Sequence, residues 1–548
     1  MSSDVPTTVD ARGITPYRLH QIVLATTSFL LAGCMVGPDY TAPATPVANN
    51  WLQSGEHAVR QEAPLERNWW SVYQDPVLDR LVLTAYDQNL SLMSAGTRVL
   101  AARAQLGVAI GEFFPQTQQL GAGVGYNQTA STDPTGSPNA KSFNFWRSSL
   151  SAQVSWELDF WGKFRRGIET ADAAYLGSVA SYDDVLVTLI GDVAASYIGI
   201  RTLERQIVIA QSNLTRQEKT LFIARARFEG GTTTKLDVYQ AENVLAATQA
   251  TVPQLTIQLD QGKNALRVLL GMPPDTLDIL LAGPPGFKPV IPVPPGQVAV
   301  GIPADLVRRR PDLRAAELRA VAQSAQIGMA EADLYPAFIL TGSFGTIGSN
   351  IGHSNLDDVF SSKGIAFSFG PSFQWPILNY GQITNTVRVQ DAKLQSLLID
   401  YQETVLRAQR EVEDGLAAYV GTGKQVADLR ISDAAAGSAL GIAIDQYRLG
   451  TRDFTTVLTA EQNLFAADNN LAVAYGNYST SLATIHRALG GGWQIREGQE
   501  FVRGSNREQM RLRTNWGDLL PPSGTPTTPV PALPSATDVN SNIRAPKW

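Results

Sequence analysis

Two segments of the chain alternate between apolar and polar residues. In residues 149–160, SLSAQVSWELDF, every second position from Leu150 to Phe160 is apolar, and the positions between are polar. Residues 364–377, GIAFSFGPSFQWPI, repeat the pattern, and Gln119–Gln128 and Ala337–Ile347 supply a partner for each. A period of two predicts strands with one apolar and one polar face. Each segment is about 10 residues long or slightly more, which suits a tilted strand crossing a bilayer.

Two much longer segments follow a helical pattern. No proline interrupts the chain from about Phe164 to Phe228, or from about Gln382 to Leu449. At about 1.5 Å per residue, each helix would be about 100 Å long. The second carries apolar residues at heptad spacing, broken by Asp391: Val387, Leu394, Tyr401 and Ala408 on one register and Leu398, Val405, Val412 and Tyr419 on the other. Such rods are typical of coiled coils.

The chain repeats itself. The segment FEGGTTTKLDVYQAENV begins at Phe228, and YRLGTRDFTTVLTAEQN, 219 residues later, aligns with it from Tyr447. Gly231 aligns with Gly450. Each half contains a helix ending at a proline, two strands, a long helix, a glycine corner and a further long helix. Thr234 and Asp453 stand where N-caps are expected, and Asp237 lies in a first helical turn.

The repeat sets the domain boundaries. We expect a signal peptide over 1–33, an extended lipidated segment over 34–68, and the first structural repeat over 69–271. A proline-rich linker over 272–303 leads to the second repeat over 304–493. The remainder, 494–548, is polar and then rich in Pro, Ser and Thr, which predicts a disordered tail.

The amino terminus has the form of a signal peptide. Arg12 and Arg18 precede the short apolar run QIVLATTSFLLAGC, which is too short for a mature membrane helix. LAGC resembles the lipobox of bacterial lipoproteins, which implies that Cys34 becomes the acylated first residue. The alternative is an ordinary signal peptide with a chance cysteine. The residue after the cysteine is Met35 and not Asp, which by the same resemblance implies the outer membrane over retention at the inner membrane.

Four strands per chain leave two unpaired sheet edges, which lipid cannot satisfy. The chain must therefore close a barrel with copies of itself. Two copies would give eight strands and an interior filled by side chains. Three copies would give twelve strands and room for a lumen, so a conducting protein favours a trimer. Loops at about 127–147 and 348–363 would face outward.

Composition argues against several other functions. Of the 548 residues, 44% are apolar and only 17% charged, with a net charge of −6. No basic stripe suggests nucleic-acid binding. The four histidines are scattered and Cys34 is the one cysteine, so no metal-binding spacing exists. No nucleophile–base set or phosphate-binding lysine loop indicates an enzyme or a cofactor.

A family resemblance unites these features. The resemblance depends on these segments: NWWSVYQDPVLDRLVLTAYDQNLSLMSA (Asn68–Ala95), the helices ending in FFP and LYP, IPADLVRRRPDLRAAE (Ile302–Glu317), both Gly-Thr corners, and CMVGPDY after the lipobox. Together they resemble the TolC-like outer membrane efflux proteins, in the lipoprotein branch that serves RND-type pumps. The resemblance implies a mixed α and β membrane protein: a homotrimer with a 12-stranded transmembrane barrel, continued by a periplasmic α-helical barrel.

The resemblance also implies function and partners. It implies a passive exit duct, anchored by lipid in the outer membrane, that receives small molecules from an inner-membrane RND pump through a periplasmic membrane-fusion adaptor. Two alternatives stay open: a type I protein-secretion duct, and a non-conducting scaffold that only bridges the periplasm.

The functional residues implied by the family lie at the two glycine corners. Asp237, Tyr447 and Arg452 match a carboxylate, tyrosine and arginine that hold the periplasmic end shut. The alternative is that Asp237 only caps its helix and Arg452 is solvated. Gly231 and Gly450 match adaptor contacts. This sequence departs from some relatives, because Thr456 and Thr459 replace constriction aspartates; nearby Asp453 could substitute in the gate.

Overall fold

The computed structural model describes residues 35–63, 67–128, 144–274 and 277–521, with the side chains of 307 and 308 left out. The predicted signal peptide, Cys34 and the final residues 522–548 lie outside the described residues.

The described chain contains helices and strands in the repeating order that the sequence predicts. The first half comprises β1 (Val59–Arg60), α1 (Pro76–Gln88), α2 (Leu90–Glu112), β2 (Thr117–Gln128), β3 (Asn144–Leu158), α3 (Lys163–Glu229), α4 (Lys235–Leu269) and α5 (Leu277–Ala282). The second half comprises β4 (Val298–Ala299), α6 (Pro303–Arg309), α7 (Pro311–Ala332), β5 (Ala337–Ser349), β6 (Ile365–Gln374), α8 (Gln382–Arg448), α9 (Phe454–Ala488) and α10 (Gly504–Arg513).

Four strands form one antiparallel sheet in the order β2-β3-β5-β6. Leu120 pairs with Ala152, Ala152 with Phe344, and Phe344 with Phe367. Directly paired residues share a face, so these four residues lie on one side together with the alternating apolar residues of β3 and β6. Ile339 and Ile347 of β5 lie on the opposite, mainly polar side. The exposed fractions of Leu120 and Phe367 are both 79%. Within the described residues, β2 and β6 each pair on one side alone, so both sheet edges are open in the single chain.

The long helices α3 and α8 match the predicted rods, and each has 67 residues. Each begins after a glycine with positive φ, Gly162 at 80° and Gly381 at 79°, which turns the chain from strand to helix. All five heptad positions from Tyr401 to Tyr419 are buried, whereas Val387 and Leu394 are half-buried. The heptad pattern therefore describes the middle of α8 better than its beginning.

One helix in the described part of the chain, α3, contains a stretch long and apolar enough to cross a membrane by composition. However, 61% of that stretch is buried inside the protein. It therefore has the burial expected of a core helix.

The main core lies around the middle of the long helices. Trp69, Leu78, Tyr197, Tyr419 and Leu482 are among its fully buried side chains. This core joins α1, α3, α8 and α9 and fixes the two halves of the chain together.

The disorder predicted for the polar segment after Trp493 is wrong as far as Pro521. Val502 and Leu520 are buried against Leu100 of α2. Gly96 of α2 lies so close to Phe501 that a β-carbon there would come within 2.2 Å of the Phe501 carbonyl oxygen. A few apolar residues thus anchor this segment to the core, although its average composition is polar. The prediction of disorder rested on that average and so missed these individual anchoring residues.

Residues 35–52, here called the N-terminal strap, run without regular structure from the start of α3 along α7 and α8. Gly37 packs against Gly328 of α7 so closely that a β-carbon on Gly37 would lie 2.3 Å from the Gly328 Cα. Buried Arg166 of α3 donates to the carbonyls of Val36 and Gly37. Further along, the backbone N–H of Leu52 donates to Glu413 at 2.7 Å. The strap is therefore fixed along its length.

Candidate functional site

The two glycine corners have the same backbone geometry. Gly231 has φ 70° and Gly450 has φ 75°, the left-handed conformation that glycine adopts at helix ends. In each corner, the N–H of the following threonine donates to a carbonyl of the last helical turn: Thr232 to Arg227 at 2.9 Å and Thr451 to Gln446 at 3.0 Å. The matching sequences of the corners therefore encode matching turns.

A small second core joins the corners. It contains Leu221, Ala224, Val238, Ala241, Leu440, Ala443, Tyr447, Phe454, Val457 and Leu464, drawn from all four long helices. Tyr447 is only 3% exposed and packs edge-on against Phe454, with ring centroids 5.4 Å apart. The tips of the two helical hairpins thus pack together in one chain.

Two of the predicted latch residues meet in this core. The Tyr447 hydroxyl donates to Oδ2 of Asp237 at 3.4 Å, and the Thr233 hydroxyl donates to the same oxygen. Burial raises the pKa of Tyr447, and the Asp237 charge raises it further. The tyrosine therefore keeps its proton and acts as a donor.

The arginine against this tyrosine is Arg227 of α3, which the sequence analysis missed. Its guanidinium lies 4.5 Å from the centre of the Tyr447 ring, within cation–π distance, and donates to the Tyr447 carbonyl oxygen. A basic residue in the last turn of a helix stabilises the carboxyl end of that helix. This position was the sequence feature that could have drawn attention to Arg227. That signal could not show that its partner lies on the other hairpin.

Within the described chain, Arg452 forms no ion pair with Asp237. It is exposed at the second corner, and among the described residues it has no hydrogen bond or ion pair. Asp453 is exposed beside it and accepts a hydrogen bond from the Thr456 hydroxyl at 2.7 Å. That bond, reinforced by the neighbouring Thr455 hydroxyl, lowers the pKa of the Asp453 carboxyl. Asp453 therefore carries its charge at the tip at neutral pH.

The predicted N-caps are correct in position only. Thr234 and Asp453 are the N-cap residues of α4 and α9, but neither side chain hydrogen-bonds to its helix backbone. Asp237 likewise bonds to the Thr233 and Tyr447 hydroxyls. The described geometry of Asp237 thus differs from that of a simple cap.

The middle of the polar face of the strand sheet carries mostly small side chains, although Arg147, Gln153 and Glu157 on the same face are long. Gly121, Gly123 and Gly125 of β2 pair with Ser151, Ser149 and Arg147 of β3. Few of these side chains can extend into the space that this face would enclose. Such a face suits a wide lumen better than a packed barrel interior.

The structure also places the first described residue at the junction of strands and helices. The Val36 N–H donates to the Trp161 carbonyl at 3.1 Å, between the end of β3 and the start of α3. Met35 lies against Gly162. Met35, the residue that follows Cys34 in the sequence, therefore lies at the end of the sheet from which the long helix α3 starts.

No group of three or more His, Cys, Asp or Glu residues is arranged to hold a metal ion in the part of the chain that the structure describes.

Comparisons with known proteins agree with this architecture. The family model for outer membrane efflux protein matches residues 81–272 and 302–491. The chain is 30% identical over 489 residues to the probable efflux pump outer membrane protein SepC of Pseudomonas putida, covering 87% of this chain and 97% of that protein. It is 31% identical over 479 residues to nodulation protein T of Rhizobium leguminosarum bv. viciae, covering 87% and 94%.

The outer-membrane channel OprN superposes with a TM-score of 0.77 at 30% identity, covering 84% of this chain and all of that one. Both repeats and the intervening order of elements are included in these matches. The chain belongs to the outer membrane efflux protein family.

Proposed function

We propose that this chain is one subunit of a passive exit duct that carries small molecules from an inner-membrane RND pump and a periplasmic membrane-fusion adaptor to the cell exterior. The main support is the sheet, which has one exposed apolar face, one mainly polar face and two open edges, and which continues into helices of 67 residues. Three copies would close the edges and extend the lumen through the periplasm. Family members are transport proteins, so no catalysis is needed.

We also propose that Cys34 is acylated and anchors the duct in the outer membrane. The strap supports this, because Met35 lies beside Gly162, where the strands end. Acyl chains on the preceding residue would enter the adjacent leaflet, and several chains together give stable anchoring. Replacing Cys34 by Ser should abolish incorporation of radiolabelled palmitate; persistent labelling would refute acylation at this residue.

We further propose that the corners form the closed periplasmic end. Asp237 and Tyr447 would join the two hairpins within a subunit, and Arg452 would bind Asp237 of the neighbouring subunit. Both described hydrogen bonds to Asp237 use Oδ2, and a guanidinium can bind a carboxylate through a charge-assisted bond. Asp453 would add negative charge to the constriction, and Gly231 and Gly450 would contact the adaptor.

The test is efflux in cells. A strain that lacks its own outer-membrane duct but retains an RND pump and adaptor should accumulate less of a fluorescent pump substrate when this chain is expressed. A matched strain with the pump inactivated should show no change. Unchanged accumulation with the pump active, in cells whose outer membrane contains the protein, would contradict the proposal. Restored secretion of an ABC-exporter substrate in place of small-molecule efflux would favour a protein-secretion duct.

A further inference from the structure

The loop between β5 and β6 folds back onto the sheet. Residues 350–364, here called the outer flap, contain two short 3-10 turns, Leu356–Phe360 and Ser362–Gly364. The first turn has a capping box in which the Asn355 N–H donates to Asp358 at 2.8 Å. The flap is therefore an ordered unit with its own internal hydrogen bonds.

The sheet register shows which face the flap covers. Ser148 of β3 pairs with Gly348 of β5 and shares a face with Leu150 and Val154. The Ser148 hydroxyl donates to the Leu356 carbonyl at 2.6 Å. A β-carbon on Gly348 would lie 2.5 Å from the same carbonyl oxygen, so the flap sits directly over this glycine. The flap thus covers the apolar face of the sheet and leaves the polar face uncovered.

The flap lies at the height of two aromatic residues. The Asn350 N–H donates to the Trp146 carbonyl, which places the beginning of the flap level with Trp146. Tyr126 pairs with Trp146 on the same apolar face, with ring centroids 5.3 Å apart. Aromatic side chains at strand ends are typical of the boundary between lipid headgroups and acyl chains in membrane barrels.

Phe360 projects from this unit with 88% of its surface exposed, while its neighbour Val359 is buried. We propose that the outer flap is a lipid-binding element, which seats Phe360 at the headgroup–acyl boundary of the outer leaflet beside Tyr126 and Trp146. A neighbouring subunit is a poor occupant, because the flap lies on the central strands β3 and β5 and the open edges belong to β2 and β6.

This inference rests on the proposed function in one respect, the insertion of the sheet into the outer membrane. It adds that the second hairpin loop widens the lipid-facing surface at the outer end. It follows that this loop does not cover the mouth of the duct.

The test is spin-label accessibility in reconstituted vesicles of phosphatidylcholine and phosphatidylglycerol. A nitroxide is attached to Phe360→Cys, and its collisions with oxygen, which concentrates in lipid, are compared with those of a water-soluble nickel chelate. The matched controls are Phe367→Cys on the apolar face, Ser368→Cys on the polar face and His353→Cys on the exposed start of the flap. The parent protein, with Cys34 as its one cysteine, gives the labelling background.

The expected result is an oxygen-to-nickel accessibility ratio at position 360 that approaches the ratio at 367 and exceeds those at 353 and 368. A ratio equal to that at 353 would place Phe360 in water and overturn the inference. Low accessibility to both reagents would mean that protein covers the flap, and would also overturn it. If the label at 367 is itself in water, the membrane insertion of the sheet fails together with the inference.

Discussion

Tyr447 connects the two halves of the chain at the tip. It is buried between Phe454 and Arg227 and donates to Asp237 on the other hairpin. Arg227 and Asp237 belong to the first hairpin and Tyr447 to the second. Loss of any of these three side chains therefore weakens the contact between the tips without changing the strand sheet.

We predict that Asp237→Ala and Arg452→Ala each give a leakier resting duct. Hydrogen bonds to charged groups contribute about 1.5–3 kcal/mol, and about 1.4 kcal/mol is tenfold in an equilibrium, so the open fraction should rise about tenfold or more. The measurement is the open probability of single channels in planar bilayers, together with their closed-state conductance. Tyr447→Phe should act in the same direction.

The matched control is Tyr380→Phe, since Tyr380 is exposed and lies beside the sheet, at the far end of α8 from the tip. Closed-state conductance that stays at the parental level in Asp237→Ala, Arg452→Ala and Tyr447→Phe would refute the latch.

A second residue-scale prediction concerns Asp184 of α3. Burial, reinforced by Asp312, raises the pKa of its carboxyl from 3.8 to about 6. The folded state then holds the proton more tightly than the unfolded state, so the stability present below pH 4 is lost as the pH rises through about 6. The pKa rises by about two, and each unit corresponds to about 1.4 kcal/mol, so the free energy of unfolding can change by at most about 3 kcal/mol.

Asp184→Asn should therefore unfold at a higher temperature than the parent at pH 7, and the difference should disappear near pH 4. Thermal unfolding in detergent between pH 4 and 8 measures this. Asp400→Asn, on an exposed position of α8, is the control. A parent and an Asp184→Asn variant with parallel pH profiles would contradict the assignment.

At the scale of elements, the sheet presents neighbouring residues to opposite surroundings. Phe369 is exposed on the apolar face, whereas the Ser368 hydroxyl lies 2.9 Å from that of Ser343 on the polar face. Phe369→Arg should destabilise the inserted protein by about 2–4 kcal/mol, because arginine is disfavoured near the bilayer midplane. Ser368→Arg should cost much less, since its face would line water.

Denaturant-induced unfolding in lipid vesicles, followed by tryptophan fluorescence, compares the two variants. Equal losses of stability at 368 and 369 would show that the two faces of the sheet have the same surroundings.

The sequence predicted these elements well, because their periods are long and uninterrupted. Both rods were correct within about a residue at each end, all four strands were found, and the apolar faces predicted for β3 and β6 are confirmed by the sheet register. The strand ends were less accurate: β3 begins at Asn144, five residues before the predicted start, because its outer end pairs with β2 without alternating cleanly.

Contacts between distant segments were not predictable from local pattern. Arg227 lies against Tyr447 only because two hairpins pack at their tips. The strap and the segment up to Pro521 are ordered by close contacts at Gly328 and Gly96, which no periodicity signals. The partner proposed for Arg452 belongs to a neighbouring subunit, so neither the sequence pattern nor the structure of one chain can reveal that contact.

At the scale of the whole molecule, the open edges of β2 and β6 determine the assembly. Unpaired backbone groups at these edges cannot be satisfied by lipid. Closing the edges between three chains gives twelve strands, enough for a lumen. The same threefold arrangement would bring the long helices of three chains into one tunnel, so the barrel and the tunnel share one axis.

The most direct test measures mass and conductance on the same purified sample. Native mass spectrometry from detergent should give a mass of three chains, and that species should form discrete channels in planar bilayers. A folded single chain that persists in detergent and never conducts would contradict the account.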